Sequence, residues 1–197
     1  AFVVSLTLHC PSGAEAKELA AEKTPTALQD YVAAKDDAFA WTIIKNDRTD
    51  DFLTYDVDLT SQVWQGITWK HALAVFVPPD VRHTDTVLLF VMGGSTGRRP
   101  GDEDRAMGRK LAAMAQMPVA LLYQVPNQPL MDGRTEDDLI SETYLRYLDT
   151  KDATWPLLFP MVKSAVRAMD ALQEIALEKH DAQIKRFVVT GGSKRGW

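Results

Sequence analysis

Arg186-Phe-Val-Val-Thr-Gly-Gly-Ser193-Lys-Arg-Gly-Trp197 is the stretch on which the reading of this chain turns. An apolar run of strand length meets two glycines and a serine, and a further glycine stands at Gly196. A nucleophile elbow needs this arrangement. A sharp strand-to-helix turn holds the serine in a strained backbone conformation, so its neighbours must be small. The turn lifts the hydroxyl above the sheet, and the N–H of the following residue meets a developing oxyanion at a helix start. The usual spacing is G-x-S-x-G. Gly191 and Ser193 fit it, whereas Arg195 takes the second glycine position. Plain tight strand connections share the Gly-Gly-Ser pattern. A dinucleotide loop fails here, since Arg195 and Trp197 stand where its later glycines belong. No Walker phosphate loop occurs anywhere in the chain.

Outward from this turn, two more apolar runs lack alternation, Thr86–Met92 and Pro118–Val125. Strands without alternation are covered on both faces, the mark of a parallel sheet. Helical periodicity fills the intervals at Asp102–Gln116, Glu136–Leu148 and Pro160–Glu178. Three earlier runs, Phe39–Lys45, Leu53–Trp64 and Lys70–Val77, are strand-like. The second alternates cleanly, with Tyr55, Val57, Leu59 and Ser61 opposite Thr54, Asp56, Asp58 and Thr60. Period-2 alternation leaves one wet face, as in antiparallel edge strands. A short helix precedes them at Thr26–Ala34, with Thr24 or Thr26 as N-cap. The order predicts an α/β fold, a mostly parallel sheet with antiparallel N-terminal edge strands, ending just past the elbow.

In such sheets working groups sit in loops at the carboxyl ends of the parallel strands. Three loops qualify: Gly93–Gly97, Pro126–Pro129 and Gly191–Gly196. The first can supply a second oxyanion N–H if Phe39–Lys45 is an extra strand outside the core count, which makes Gly94 and Ser95 candidates beside Ser193. Lys194 and Arg195 fall in the first turn of a helix, where the macrodipole disfavours positive charge by about 0.3–1 kcal/mol each. An anion must offset them, either an acid from further along the chain or negative charge on a substrate. In the second case Lys194 neutralises an oxyanion or binds a carboxylate, and Lys194→Ala costs more on an acidic ester than on a neutral one.

The chain has 197 residues, with 46% hydrophobic and 25% charged residues and a net charge of −5. That composition excludes disordered and fibrous classes, and the absence of a basic stripe argues against nucleic acid. One cysteine permits no internal disulfide and builds no metal site alone. The reading requires no metal and no cofactor. No apolar run approaches the roughly 20 residues that span a bilayer. Ala1–Leu8 is apolar and is followed by small residues, so residues 1–16 read as the remnant of a signal peptide. A buried first strand is the alternative. Residues 17–197 then form the N-terminal part of a single domain in a secreted or periplasmic protein.

The four histidines are His9, His71, His83 and His180, and none follows Ser193. In the Ser–acid–His chain order of this fold each reads as a surface or cap residue. The base and its acidic partner are then expected beyond residue 197, leaving this fragment inert and its last strand an exposed edge at Phe187, Val188 and Val189.

Taken together, Asp58-Leu-Thr-Ser-Gln62 with Trp64, Val91-Met-Gly-Gly-Ser95, Val125-Pro-Asn-Gln-Pro-Leu130, Trp155-Pro-Leu with Met161-Val-Lys-Ser-Ala-Val-Arg-Ala-Met-Asp170, and Thr190-Gly-Gly-Ser-Lys-Arg-Gly-Trp197 resemble the PhoPQ-activated pathogenicity-related protein family. Its members are secreted or periplasmic proteins of the α/β-hydrolase superfamily. The turn is also similar to that of glucuronoyl esterases, where a cation follows the serine. The resemblance covers Leu28–Trp197 and implies a serine nucleophile at Ser193, with a small-molecule or peptide substrate that it does not identify. A secreted binding or signalling protein on the same scaffold is the rival reading.

Overall fold

The computed structural model describes residues 25–49 and 52–196; the signal-peptide reading of residues 1–16 lies outside them. Helix α1 (Ala27–Ala33) leads into three long strands, β1 (Ala40–Thr49), β2 (Phe52–Trp64) and β3 (Ile67–Val77). Then β4 (Thr86–Val91), α2 (Asp102–Ala115), β5 (Val119–Leu122), α3 (Glu136–Thr150), α4 (Leu158–His180) and β6 (Arg186–Gly191) follow, and a 3₁₀ turn spans Ser193–Gly196. Each segment expected from the periodicity is present, with ends shifted by a few residues.

The strands form one sheet in the order β1-β2-β3-β5-β4-β6. β1, β2, β3 and β5 pair antiparallel in succession, while β4 pairs parallel with β5 and with β6. The antiparallel N-terminal edge thus accounts for three of the five pairings among the described residues. β1 is the outermost strand of that edge, so β4 is the third strand counted from β2.

Alternation holds along β2 as far as Leu59, with Tyr55, Val57 and Leu59 buried. A bulge between Thr60 and Gln62 then resets the phase. The extra residue turns both Ser61 and Gln62 inward and brings Trp64 to the core face, where a regular strand would have sent it outward.

β5 is buried on both faces, as its unbroken apolar run requires. Ala120 and Leu122 join the larger core under α3 and α4; Val119 and Leu121 join a smaller one under α2. α4 supplies Met161, Ala168, Leu172 and Ile175 to the larger core. Its Lys163 is buried, and the ammonium donates to the Ala34 carbonyl at 2.8 Å just past the end of α1, where a cation complements the helix dipole.

On the opposite face, α2 approaches β3 through Gly108. A Cβ there would lie 2.3 Å from the Phe76 ring, which is itself fully buried. Gly108→Ala should therefore destabilise the protein by about 1–3 kcal/mol through overpacking, despite alanine's better helix propensity. Urea denaturation with an unchanged m-value and a lower midpoint is the expected result.

Candidate active site

The carboxyl ends of β4, β5 and β6 point the same way, because the three strands are parallel and adjacent. The loops that leave them are the three singled out in the sequence, and backbone bonds join the first two. Gln124 donates its N–H to Gly93 O at 3.1 Å, and Thr96 donates to Gln128 O at 2.7 Å. Asn127 ties the middle loop to β3, accepting from Lys70 N–H at 2.9 Å and donating to Lys70 O at 2.9 Å.

Ser193 stands at the join of β6 and the 3₁₀ turn, exposed, with φ +55°. A left-handed backbone costs a non-glycine residue energy, and a nucleophile elbow holds its serine in this region. Close packing around the turn explains the displaced glycine. A Cβ on Gly191 would sit 2.4 Å from Arg195 O and 3.0 Å from Arg195 Cβ, and one on Gly196 would sit 2.7 Å from Gly191 O. Gly191 leaves the hole into which the Arg195 Cβ fits, so a second glycine at position 195 is unnecessary. Among the described residues, Ser193 Oγ has no hydrogen-bond partner, and the backbone N–H groups of Gly94, Ser95 and Lys194 have no acceptor. Gly94 adopts φ +110° and Ser95 is exposed.

Among the described residues, the anion that faces Lys194 and Arg195 is Glu136, with Asp137, at the start of α3. Arg195 donates from Nη1 and Nη2 to the two carboxylate oxygens of Glu136 at 2.9 and 2.6 Å. Lys194 Nζ lies 3.1 Å from Glu136 Oε2 and 3.0 Å from Asp137 Oδ1. Gln128 donates its side-chain amide to Glu136 Oε1 at 2.7 Å and accepts the Glu136 N–H at 3.0 Å. The Arg195 bonds foremost, then those from Gln128 and Lys194, hold the Glu136 carboxyl down at about 2 against the opposing effect of burial. Asp137 and Glu136 in turn raise the Lys194 ammonium above its ordinary value. Among the described residues, both cations are paired with acids of α3. Glu136 is legible only as part of a helix, because its cationic partners lie almost 60 residues away.

His71 is not a surface residue. It is 3% exposed, inside the sheet. Nδ1 lies 3.0 Å from Tyr123 O, an acceptor only, so in the neutral ring the proton is on Nδ1 and Nε2 accepts from Ser61 Oγ at 2.9 Å. Burial pushes its pKa down to about 4. His180, the last residue of α4, is exposed and bonds Tyr55 Oη at 2.9 Å. Neither histidine is hydrogen-bonded to Ser193. β6 lies at the sheet's edge among the described residues, with Val188 and Val189 each 48% exposed and Phe187 packed on the core.

A family model described as PhoPQ-activated pathogenicity-related protein matches residues 28–197. Autocrine proliferation repressor protein A of Dictyostelium discoideum is 36% identical over 185 residues, covering 87% of this chain and 37% of that protein. Among solved structures, a glucuronoyl esterase from Solibacter usitatus superposes with a TM-score of 0.53 at 14% identity, over 91% of this chain and 54% of that one. At that identity the likeness is one of fold. The chain thus spans little more than a third of the curated relative and about half of the solved esterase.

Proposed function

The chain belongs to the PhoPQ-activated pathogenicity-related protein family and has a hydrolase scaffold, and from that premise we propose that the whole protein is a secreted or periplasmic serine hydrolase that cleaves an ester or amide bond through Ser193. The observation that carries this reading is the left-handed, exposed serine between a parallel strand and a helical turn, with packing that demands glycine at 191. Ser193 Oγ attacks the carbonyl carbon. The backbone N–H groups of Lys194 and of the Gly94–Ser95 segment receive the oxyanion, and the base that takes the serine proton comes from outside the described residues. Export rests on the apolar Ala1–Leu8 run. No helix among the described residues is long and apolar enough to cross a membrane.

A second reading has one observation in its favour, the name of the Dictyostelium relative, which describes a proliferation repressor rather than an enzyme. On that reading the scaffold presents a binding surface and Ser193 is unreactive. Treating the whole protein with a fluorophosphonate probe separates the two. We expect time-dependent labelling that maps to the peptide containing Ser193. Labelling elsewhere, or none after prolonged exposure, would favour the binding protein.

A further inference from the structure

The turn that carries Ser193 has little of its own to keep it in shape. It is a single 3₁₀ turn, and the strand before it is half exposed. What surrounds it is a set of bonds from elsewhere. Every part of the Arg195 side chain is engaged: Nε donates to Val125 O at 2.8 Å, both terminal nitrogens bond Glu136, and the guanidinium occupies the space in which a Cβ on Gly93 would stand, 2.5 Å from Nη2. The Arg195 and Lys194 side chains are only 12% and 16% exposed, but Glu136 is 38% and Asp137 82% exposed, so the Lys194–Asp137 pair is open to solvent while the Arg195–Glu136 pair is partly shielded. A bidentate guanidinium–carboxylate pair also fixes orientation, which an ammonium does not. On the other side, Glu136 is itself held in a left-handed conformation, φ +51°, with its N–H and one carboxylate oxygen both on Gln128.

We propose that Glu136 is a positioning residue for Ser193: through Arg195 and Lys194 it fixes the backbone that follows the serine against the Gly93–Ser95 and Val125–Gln128 loops. This role rests on the reading of Ser193 as the nucleophile. It also places both cations behind the reacting centre rather than on the substrate, so Lys194→Ala lowers turnover of acidic and neutral esters by the same factor. A larger loss on the acidic ester would put Lys194 in contact with substrate and overturn that assignment.

The test uses the whole protein and two readouts. Glu136→Gln keeps size and can keep the Gln128 contacts while removing the charge; Glu136→Asp keeps the charge. Amide hydrogen exchange measured peptide by peptide should rise at least tenfold over residues 187–196 in Glu136→Gln and stay level in β2, β3 and β5. Fluorophosphonate labelling should lose roughly ten- to a hundredfold in its maximal rate with the apparent probe affinity unchanged, since displacement of a positioned group costs on that order. Glu136→Asp should recover part of both. If Glu136→Gln loosens the whole sheet, Arg195→Lys is read instead, with the same local pattern expected. Unchanged exchange at the turn, or global loosening in both variants, would overturn the proposal. A rise in exchange at the turn in a protein whose wild type takes no probe would uphold the clamp and remove the nucleophile, so the two ideas fail separately.

Discussion

Alanine at position 193 should leave the whole protein as stable as the wild type while removing its ester turnover by about 10³–10⁶-fold, the range seen when a serine nucleophile is deleted. The stability half of this expectation follows from the turn itself. Serine and alanine bear similar strain at φ +55°, and Ser193 Oγ makes no bond among the described residues that alanine would forfeit. A change within about 0.5 kcal/mol is expected, as for exposed positions without a special role. The activity half follows from the proposed mechanism: its oxyanion donors are backbone groups that survive the substitution, so a residue of catalysis over water would persist without an acyl-enzyme. Steady-state hydrolysis of a chromogenic ester, paired with denaturation midpoints, reads both halves. Full turnover in Ser193→Ala would mean that another group attacks, and a large loss of stability would mean that the hydroxyl is a structural member of the turn.

Stability of the wild type should fall as the medium is acidified from about pH 6.5 to about pH 4, by up to about 3 kcal/mol, through His71 alone. The folded state holds this imidazole neutral with a pKa of about 4, against 6.5 for an ordinary histidine, and burial is the main cause. Between those values the unfolded chain binds a proton that the folded chain refuses. Stability is therefore complete above pH 6.5, declines as pH falls, and levels off below pH 4; each pKa unit is worth about 1.4 kcal/mol. A protonated ring would also offer Nε2–H to Ser61 Oγ, which now donates to it. In His71→Gln this slope should vanish, with a pH-independent cost of about 1–3 kcal/mol for the disturbed buried bonds. Urea midpoints at half-unit pH intervals check it. An unchanged slope in the variant would assign the acid sensitivity elsewhere. Glu136 acts in a lower window that overlaps only at its top, since its lowered carboxyl loses its contribution as pH falls below its unfolded value of about 4.5 toward 2.

The strands and helices were legible because their signals are local. Alternation in Tyr55–Leu59 and the unbroken runs at Thr86–Met92 and Pro118–Val125 report how many faces are covered, and the structure covers them accordingly, although Thr54, read on the wet face, is buried. Ser193 with its glycines was legible for the same reason, as a turn written within six residues. What could not be read is whatever depends on partners distant in sequence. The bulge at Ser61 has no mark of its own, yet it decides that Gln62 and Trp64 face inward. His71 reads as one more residue of an edge strand until β5 is laid beside β3 and supplies the Tyr123 carbonyl. Glu136 reads as an ordinary acid in a first helical turn, one of three in succession, and only the folded arrangement shows which of them meets the guanidinium.

Arg195 and the Gly93 backbone it lies against are separated by about 100 residues of chain, and contacts that close so long a loop cannot form early. The hydroxyl-bearing bend is thus given its shape only after three strands and the helices between them have come together. A chain that is half folded has a flexible serine like any other. With Ser193 as the proposed nucleophile, its reactivity would await completed assembly, keeping an activated group away from neighbouring proteins while the polypeptide is still immature.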